Sequence, residues 1–243
     1  MHLQMAERIR GDERLRGRAR TLLEQQWPAF YLGSIAPDVN AISEITRMAT
    51  HFYHMPPLPD EWGYTEMFAE YPVLAARETL PPAQAVFVAG YSAHLMLDVR
   101  WFREVLVPYF FEQGAWADNK ERFLVHNILL TYLDTLAFES LPEGAGAVLA
   151  AAHPEQWLPF APDPALLQWR EAVAPQLYPG ATTRTVEIYS GRMKMTSEEF
   201  AAHLHDPTWM EANLFQRVPV PQVQAMLQDA IGQSITVITN YLA

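Results

Sequence analysis

Apolar residues recur along most of this chain at the three- and four-residue spacing of helices, and the period-two alternation of strands is rare. Proline and glycine stand between the periodic segments. The pattern predicts an all-α protein. A first helix is expected from about Leu3 to Gln26, stopping before Trp27-Pro28. The next stretch, Ala29 to Asn40, holds Gly33 and Pro37 and reads as a structured loop. A second helix runs from about Ala41 to the Pro56-Pro57 break, and a third covers roughly Tyr64 to Thr79. Pro81-Pro82 then open the longest run, because the first turn of a helix has no use for that N–H. Pro108 kinks or ends it after about Val107. Within it Ala85, Ala89, Gly90 and Ala93 form a small-residue stripe that lets another helix approach closely.

A further helix is expected from about Asn119 to Phe138. From Leu141 onward the chain is richer in proline and more broken. Thr196-Ser197-Glu198-Glu199 matches a capping box and starts a helix, and a last helix runs from about Pro221 to Tyr241. The one plausible strand is Thr183 to Tyr189. No internal repeat or low-complexity tract is visible. The shift near Leu141 divides one domain, residues 1–243, into a helical core over 1–140 and a helical extension over 141–243 packed on it.

Composition narrows the chemistry. The chain has 243 residues, half of them hydrophobic, enough for a substantial core. It has no cysteine, which excludes disulfides, thiolate zinc sites, iron–sulfur clusters and cysteine nucleophiles. Any metal must be held by imidazole and carboxylate. A net charge of −11 argues against charge-driven binding to nucleic acid or anionic lipid. The charged amino terminus lacks the apolar region of a signal peptide. The most apolar stretch, Ala83 to Leu97, falls short of the ~20 residues of a membrane span. The expectation is a soluble, cytoplasmic protein with no stable membrane insertion.

Three elements carry candidate chemistry. His94 and Asp98 lie four residues apart on the longest helical run, so both side chains leave the same face. A His and a carboxylate one turn apart can bind one divalent ion, or can form a buried hydrogen-bonded pair that needs no metal. His51 and His54, in Thr50-His51-Phe52-Tyr53-His54, are three apart and face similar ways; imidazolium at a helix C-terminus is the plain alternative. Asp38 closes Gly33-Ser34-Ile35-Ala36-Pro37-Asp38, where an acidic residue is often a helix cap.

In the order His2, then Gly33-Ser34-Ile35-Ala36-Pro37-Asp38, then Thr50-His51-Phe52, then Gly90-Tyr91-Ser92-Ala93-His94-Leu95-Met96-Leu97-Asp98, roughly the first 135 residues resemble the zinc-dependent phospholipase C family. These are all-helical metalloenzymes related to bacterial phospholipases C and zinc nucleases. The resemblance implies a multi-helix bundle in which Asp38, His51, His94 and Asp98 bind a principal zinc. Asp98 would bridge to a second ion and His2 would reach it. The family's third zinc uses a His-x-x-x-Glu pair. Here His126 is followed four residues on by Leu130, with Asp134 eight residues on, so the resemblance implies one or two zinc ions rather than three. His126 and Asp134 are candidate second-site ligands. The implied activity is hydrolysis of a phosphodiester, in a phospholipid head group or a soluble ester, with Asp38 orienting or deprotonating the attacking water. The alternative is a non-catalytic all-helical domain with a structural zinc or a binding pocket.

The other histidines draw no role: His153 sits in a loop context, and His203 and His205 fall on different faces. Arg100 and Arg103 follow Asp98 closely enough to meet a phosphate, but a helix-surface ion pair with Glu104 is the simpler reading.

Overall fold

The computed structural model describes residues 1–113 and 116–243, and among these it contains helices and no strand. In chain order the α-helices are α1 (His2–Gly11), α2 (Gly17–Gln25), α3 (Trp27–Gly33), α4 (Arg47–His51), α5 (Gly63–Glu70), α6 (Pro72–Ala75) and α7 (Pro82–Trp101). They continue as α8 (Asn119–Glu139), α9 (Ala145–Ala150), α10 (Asp163–Val173), α11 (Thr185–Met193), α12 (Ser197–His205), α13 (Pro207–Met210) and α14 (Val220–Leu242). The all-α expectation holds. Among the described residues no helix is long and apolar enough to cross a membrane.

Several boundaries differ from the sequence reading, each for a local reason. The expected first helix is two, α1 and α2. Asp12 turns the chain by accepting from the Arg14 backbone N–H at 2.9 Å and gripping its guanidinium, and Gly17 takes φ +58°. A carboxylate that bonds nearby backbone competes with the helix ladder, and the positive φ is one that glycine adopts freely. Pro28 begins a helix instead of closing one, because it stands in the first turn of α3. Part of the expected loop Ala29–Asn40 is therefore helical, and the rest is a 3₁₀ segment, Ala36–Ala41. The second helix shrinks to α4, capped at its start by the Thr46 hydroxyl and stopped by Phe52 in the left-handed conformation, φ 57°. Pro108 does not end the long run. The chain widens after α7 into a π-helical segment, Phe102–Glu112, with Pro108 inside it.

The expected strand Thr183–Tyr189 is wrong: these residues enter α11. The β-branched run reads as a strand by propensity. An Arg184–Glu187 pair at 2.7 Å across the first turn and packing against α8 and α12 override it. The capping box is present as expected, with the Thr196 hydroxyl accepting from Glu199 N–H and the Glu199 carboxylate accepting from Thr196 N–H.

The core runs through the centre of α7, buried on nearly every face, with α3 crossing one side and α14 the other. Residues from both ends of the chain join one apolar cluster, from Leu3 and Ile9 to Ile238 and Leu242. The α3–α7 crossing is unusually tight. A Cβ built on Gly33 would meet the Phe87 carbonyl oxygen at 2.1 Å, and one on Gly90 the Phe30 carbonyl oxygen at 2.5 Å. The small-residue stripe is the reason the two backbones can touch.

Candidate metal centre

Four segments of the chain deliver side chains to one place beside α7. His94 and Asp98 come from α7, His51 and Arg47 from α4, Asp38 from the 3₁₀ segment and His2 from the first turn of α1. The α3–α7 contact sets the first of these. The Ser34 carbonyl, just past α3, accepts from His94 Nδ1 at 2.8 Å. A carbonyl only accepts, so that bond puts the proton on Nδ1 and leaves Nε2 as a bare lone pair. His94 Nε2 is buried and has no hydrogen-bond partner among the described residues.

The same logic fixes His51. The Thr50 hydroxyl donates to the Arg47 carbonyl at 3.2 Å, so it accepts from His51 Nδ1 at 2.8 Å. His51 Nε2 is then also a lone pair. It lies 3.4 Å from Asp98 Oδ2 and 3.8 Å from Asp38 Oδ1. His94 Nε2 lies 3.8 Å from Asp98 Oδ2 and 4.0 Å from Asp38 Oδ2. His2 Nε2 stands 3.5 Å from Asp98 Oδ1, its ring stacked on His94 with centroids 3.6 Å apart. None of these contacts is a hydrogen bond. Ligand atoms bound to one zinc at ~2.0–2.2 Å stand about 3.3–3.6 Å apart in a tetrahedron, and the observed separations sit at and just above that range. Two overlapping trios, His51–His94–Asp98 and His2–Asp38–His94, have ligand atoms within 4.8 Å of one another. The donor set fits a divalent ion of the zinc class.

The electrostatics agree with that fit. Burial raises the Asp98 carboxyl above its usual range, and the nearby Asp38 charge adds to this. Burial pushes the His51 imidazole down to about 2, helped by the Arg47 charge and by His94. His2 is lowered well below its ordinary value, first by burial and then by His94. Neutral imidazoles beside two carboxylates, with Arg47 as an ion-pair partner of Asp98 alone, leave room for a cation.

Other expected residues fall elsewhere. His126 does not join the cluster: its Nε2 accepts from the Trp101 indole N–H at 3.1 Å, and its ring packs edge-on to Phe110. Asp134 Oδ1 lies 2.5 Å from the Met1 amino nitrogen. His54 diverges from His51 because Phe52 turns the backbone, and its Nδ1 meets Glu61 at 2.6 Å. Arg100 pairs with Glu104 at 2.6 Å and Asp229 at 2.9 Å, away from the centre. Arg103 donates to the Leu58 and Glu61 carbonyls.

Two residues that sequence reasoning missed border the cluster. Arg47 Nη2 is 3.4 Å from Asp98 Oδ2 and in close contact with the Tyr53 hydroxyl, and that hydroxyl is itself 3.4 Å from Asp98. The spacing of Arg47 four residues before His51 was the available signal, since it places both on one face of α4.

The cluster opens into a cleft of about 430 Å³. Asp38, 46% exposed at its side chain, and Arg47 stand at its polar end. Trp101, Phe102, Leu106 and Ile188 supply apolar wall. Compared with family models, curated proteins and solved structures, the chain gives no match.

Protonation gives a test that needs no activity. His2, His51 and His126 are all held neutral by burial, His126 down to about 4. The unfolded chain protonates these rings near pH ~6.5 while the folded chain does not. Their contribution is therefore complete above that pH and is lost as pH falls below it. The raised Asp98 carboxyl works in the opposite sense at the acid end. Metal-stripped protein is expected to lose roughly 2–4 kcal/mol between pH 7 and 5, seen as a lower urea midpoint. An unchanged midpoint would mean that these rings are solvated in the folded chain.

Proposed function

We propose that this chain is a zinc-dependent phosphoesterase of the phospholipase C-like kind, hydrolysing a small phosphodiester at the cluster of Asp38, His51, His94 and Asp98. The observation that carries the reading is His94 Nε2, a buried lone pair with no partner, aimed where three other donors converge. An unpaired buried polar atom is costly, and a cation at that point satisfies it together with both carboxylates. His51, His94 and Asp98 would hold one ion and leave a position open for water, with Asp38 beside it and His2 where it would reach a second ion. A bound divalent ion lowers the pKa of a coordinated water towards ~7, which supplies a nucleophile at neutral pH.

The chain's own groups then have distinct tasks. Arg47, held by Tyr53, presents its guanidinium to a phosphoryl oxygen. Asp38 is the most open of the clustered carboxylates and accepts no side-chain or backbone hydrogen bond among the described residues. It is placed to take a proton from the attacking water. The apolar walls accommodate the non-reacting arm of the ester and exclude bulk water. A cluster at the end of an open cleft favours catalysis over a closed structural site.

Protein purified without added zinc should contain one or two ions per chain by elemental analysis. It should hydrolyse bis(4-nitrophenyl) phosphate between pH 6 and 9 in proportion to metal content. A fully loaded protein that turns over neither this ester nor phosphatidylcholine vesicles would overturn the reading in favour of a metal-containing binding module.

A further inference from the structure

A second constellation lies on the other side of Arg192 from the metal cleft. Helix α8 presents Lys120, Phe123 and Asn127 at spacings of three and four, one stripe of its surface. Facing them are Arg192 and Met193 at the end of α11, and Lys194, which stops that helix in the left-handed conformation at φ 55°. The six residues line an open cavity of about 620 Å³. Lys120 and Lys194 are the only lysines in the sequence. In a chain of net charge −11, both meet a third cation at one cavity.

None of the three cations has a carboxylate partner within ion-pair distance among the described residues. Nearby acids are engaged elsewhere. Glu199 feels the Lys120 charge, but its carboxylate accepts from the Thr196 N–H and hydroxyl. Glu121 accepts from Ala117 N–H and pairs with Arg217. Lys120 also stands in the first turn of α8, where the helix dipole disfavours a cation. Solvated surface lysines do not need this arrangement.

Asn127 gives an independent indication. It is only 8% exposed, lines the cavity and makes no side-chain hydrogen bond among the described residues. Its amide is not sealed from solvent, so it is open to a ligand in the cavity. Together Lys120, Lys194, Arg192 and the Asn127 NH₂ offer a surplus of donors, the complement of an acceptor-rich anion. Phe123, 43% exposed, and Met193 add an apolar wall beside them.

We propose that Lys120, Asn127, Arg192 and Lys194 form a binding site for the phosphoryl group of a small organic phosphate, whose carbon portion rests on Phe123 and Met193. The site is distinct from the metal centre, and Arg192 borders both cavities. The assignment stands whether or not the cluster binds zinc.

Metal-stripped full-length chain should be titrated with inorganic phosphate and with phenyl phosphate, by calorimetry and by amide NMR. Saturable binding of one phosphate per chain is expected, with the Asn127 side-chain amide among the shifted signals. The Lys120→Ala/Lys194→Ala double variant changes exposed positions and should keep the wild-type Tm while weakening both ligands at least tenfold. Phenyl phosphate should bind at least threefold more tightly than inorganic phosphate, and Phe123→Ala should remove that difference. Absence of saturation, or a double variant that binds like wild type, overturns the site. Equal affinity for the two ligands overturns the organic part of the assignment and leaves inorganic phosphate as the ligand.

Discussion

Asp98→Asn should leave the protein folded while removing, on the proposed function, its metal and its phosphodiester hydrolysis. The carboxylate is the hub of the centre: His51 Nε2, Arg47 Nη2 and the Tyr53 hydroxyl each lie 3.4 Å from Oδ2, and His2 Nε2 lies 3.5 Å from Oδ1. Asparagine keeps the shape and removes the charge. Groups that only support a metal ligand typically cost ~10–100-fold in affinity when changed, so loss of the ligand itself should cost at least about a hundredfold. Elemental analysis would read less than a tenth of the wild-type metal content.

The same variant separates the metal reading from the plainer one, a buried His–Asp pair. If Asp98 served as hydrogen-bond partner to His94 or His51, its neutralisation would destabilise the fold. The geometry argues otherwise, because both imidazoles make their hydrogen bonds through Nδ1 to Ser34 and Thr50, and neither donates to Asp98. Burial and the Asp38 charge already disfavour the ionised carboxyl. Without metal, Asp98→Asn should therefore raise the Tm by about 2–4 °C, the equivalent of about 1 kcal/mol in a chain of this size. A lower Tm in the metal-stripped variant would return the pair to a structural role.

The sequence made some of this visible and hid the rest for physical reasons. His94 and Asp98 were legible because they sit on one helix, where spacing dictates direction. The approach of Asp38, His51 and His2 was legible only through order along the chain, since their meeting depends on contacts between distant segments. The His51–His54 pair was misread because helical spacing was extended past α4, whose end is set by the conformation of Phe52. His126 has the right residue type on a long helix, yet the Trp101 indole takes the lone pair a metal would need. That bond joins α7 to α8 and leaves no local trace. The strand over 183–189 failed in the same way, with packing against α8 and α12 deciding what propensity could not. Arg47 and Tyr53 escaped notice because neither belongs to a ligand motif, although Arg47 shares a helical face with His51.

Gly33 and Gly90 connect the fold to the centre, and alanine at either should damage both. The methyl group of Gly33→Ala would meet the Phe87 carbonyl oxygen at 2.1 Å and its carbon at 2.9 Å; that of Gly90→Ala would meet the Phe30 carbonyl oxygen at 2.5 Å. These obstacles are backbone atoms, which cannot rotate aside as a flexible side chain does. The helices α3 and α7 must separate, through the most deeply buried part of the core. Overpacking costs about 1–3 kcal/mol in ordinary cores, and a rigid helix–helix contact belongs at the top of that range. A loss near 3 kcal/mol lowers Tm by about 6–12 °C in a chain of this size. The displacement also reaches the candidate metal centre. Ser34 follows Gly33 directly, and His94 stands one turn beyond Gly90, so the 2.8 Å bond that orients His94 spans the two helices being forced apart. Metal affinity should fall about 10–100-fold in the fraction that remains folded. Gly191→Ala is the control, on α11 with no atom within 4 Å of the added carbon. It should gain up to about 1 kcal/mol from helix propensity and leave metal affinity unchanged. Wild-type Tm and metal binding in both Gly33→Ala and Gly90→Ala would mean that α3 and α7 do not cross at backbone contact, and that another support aims His94 into the cluster.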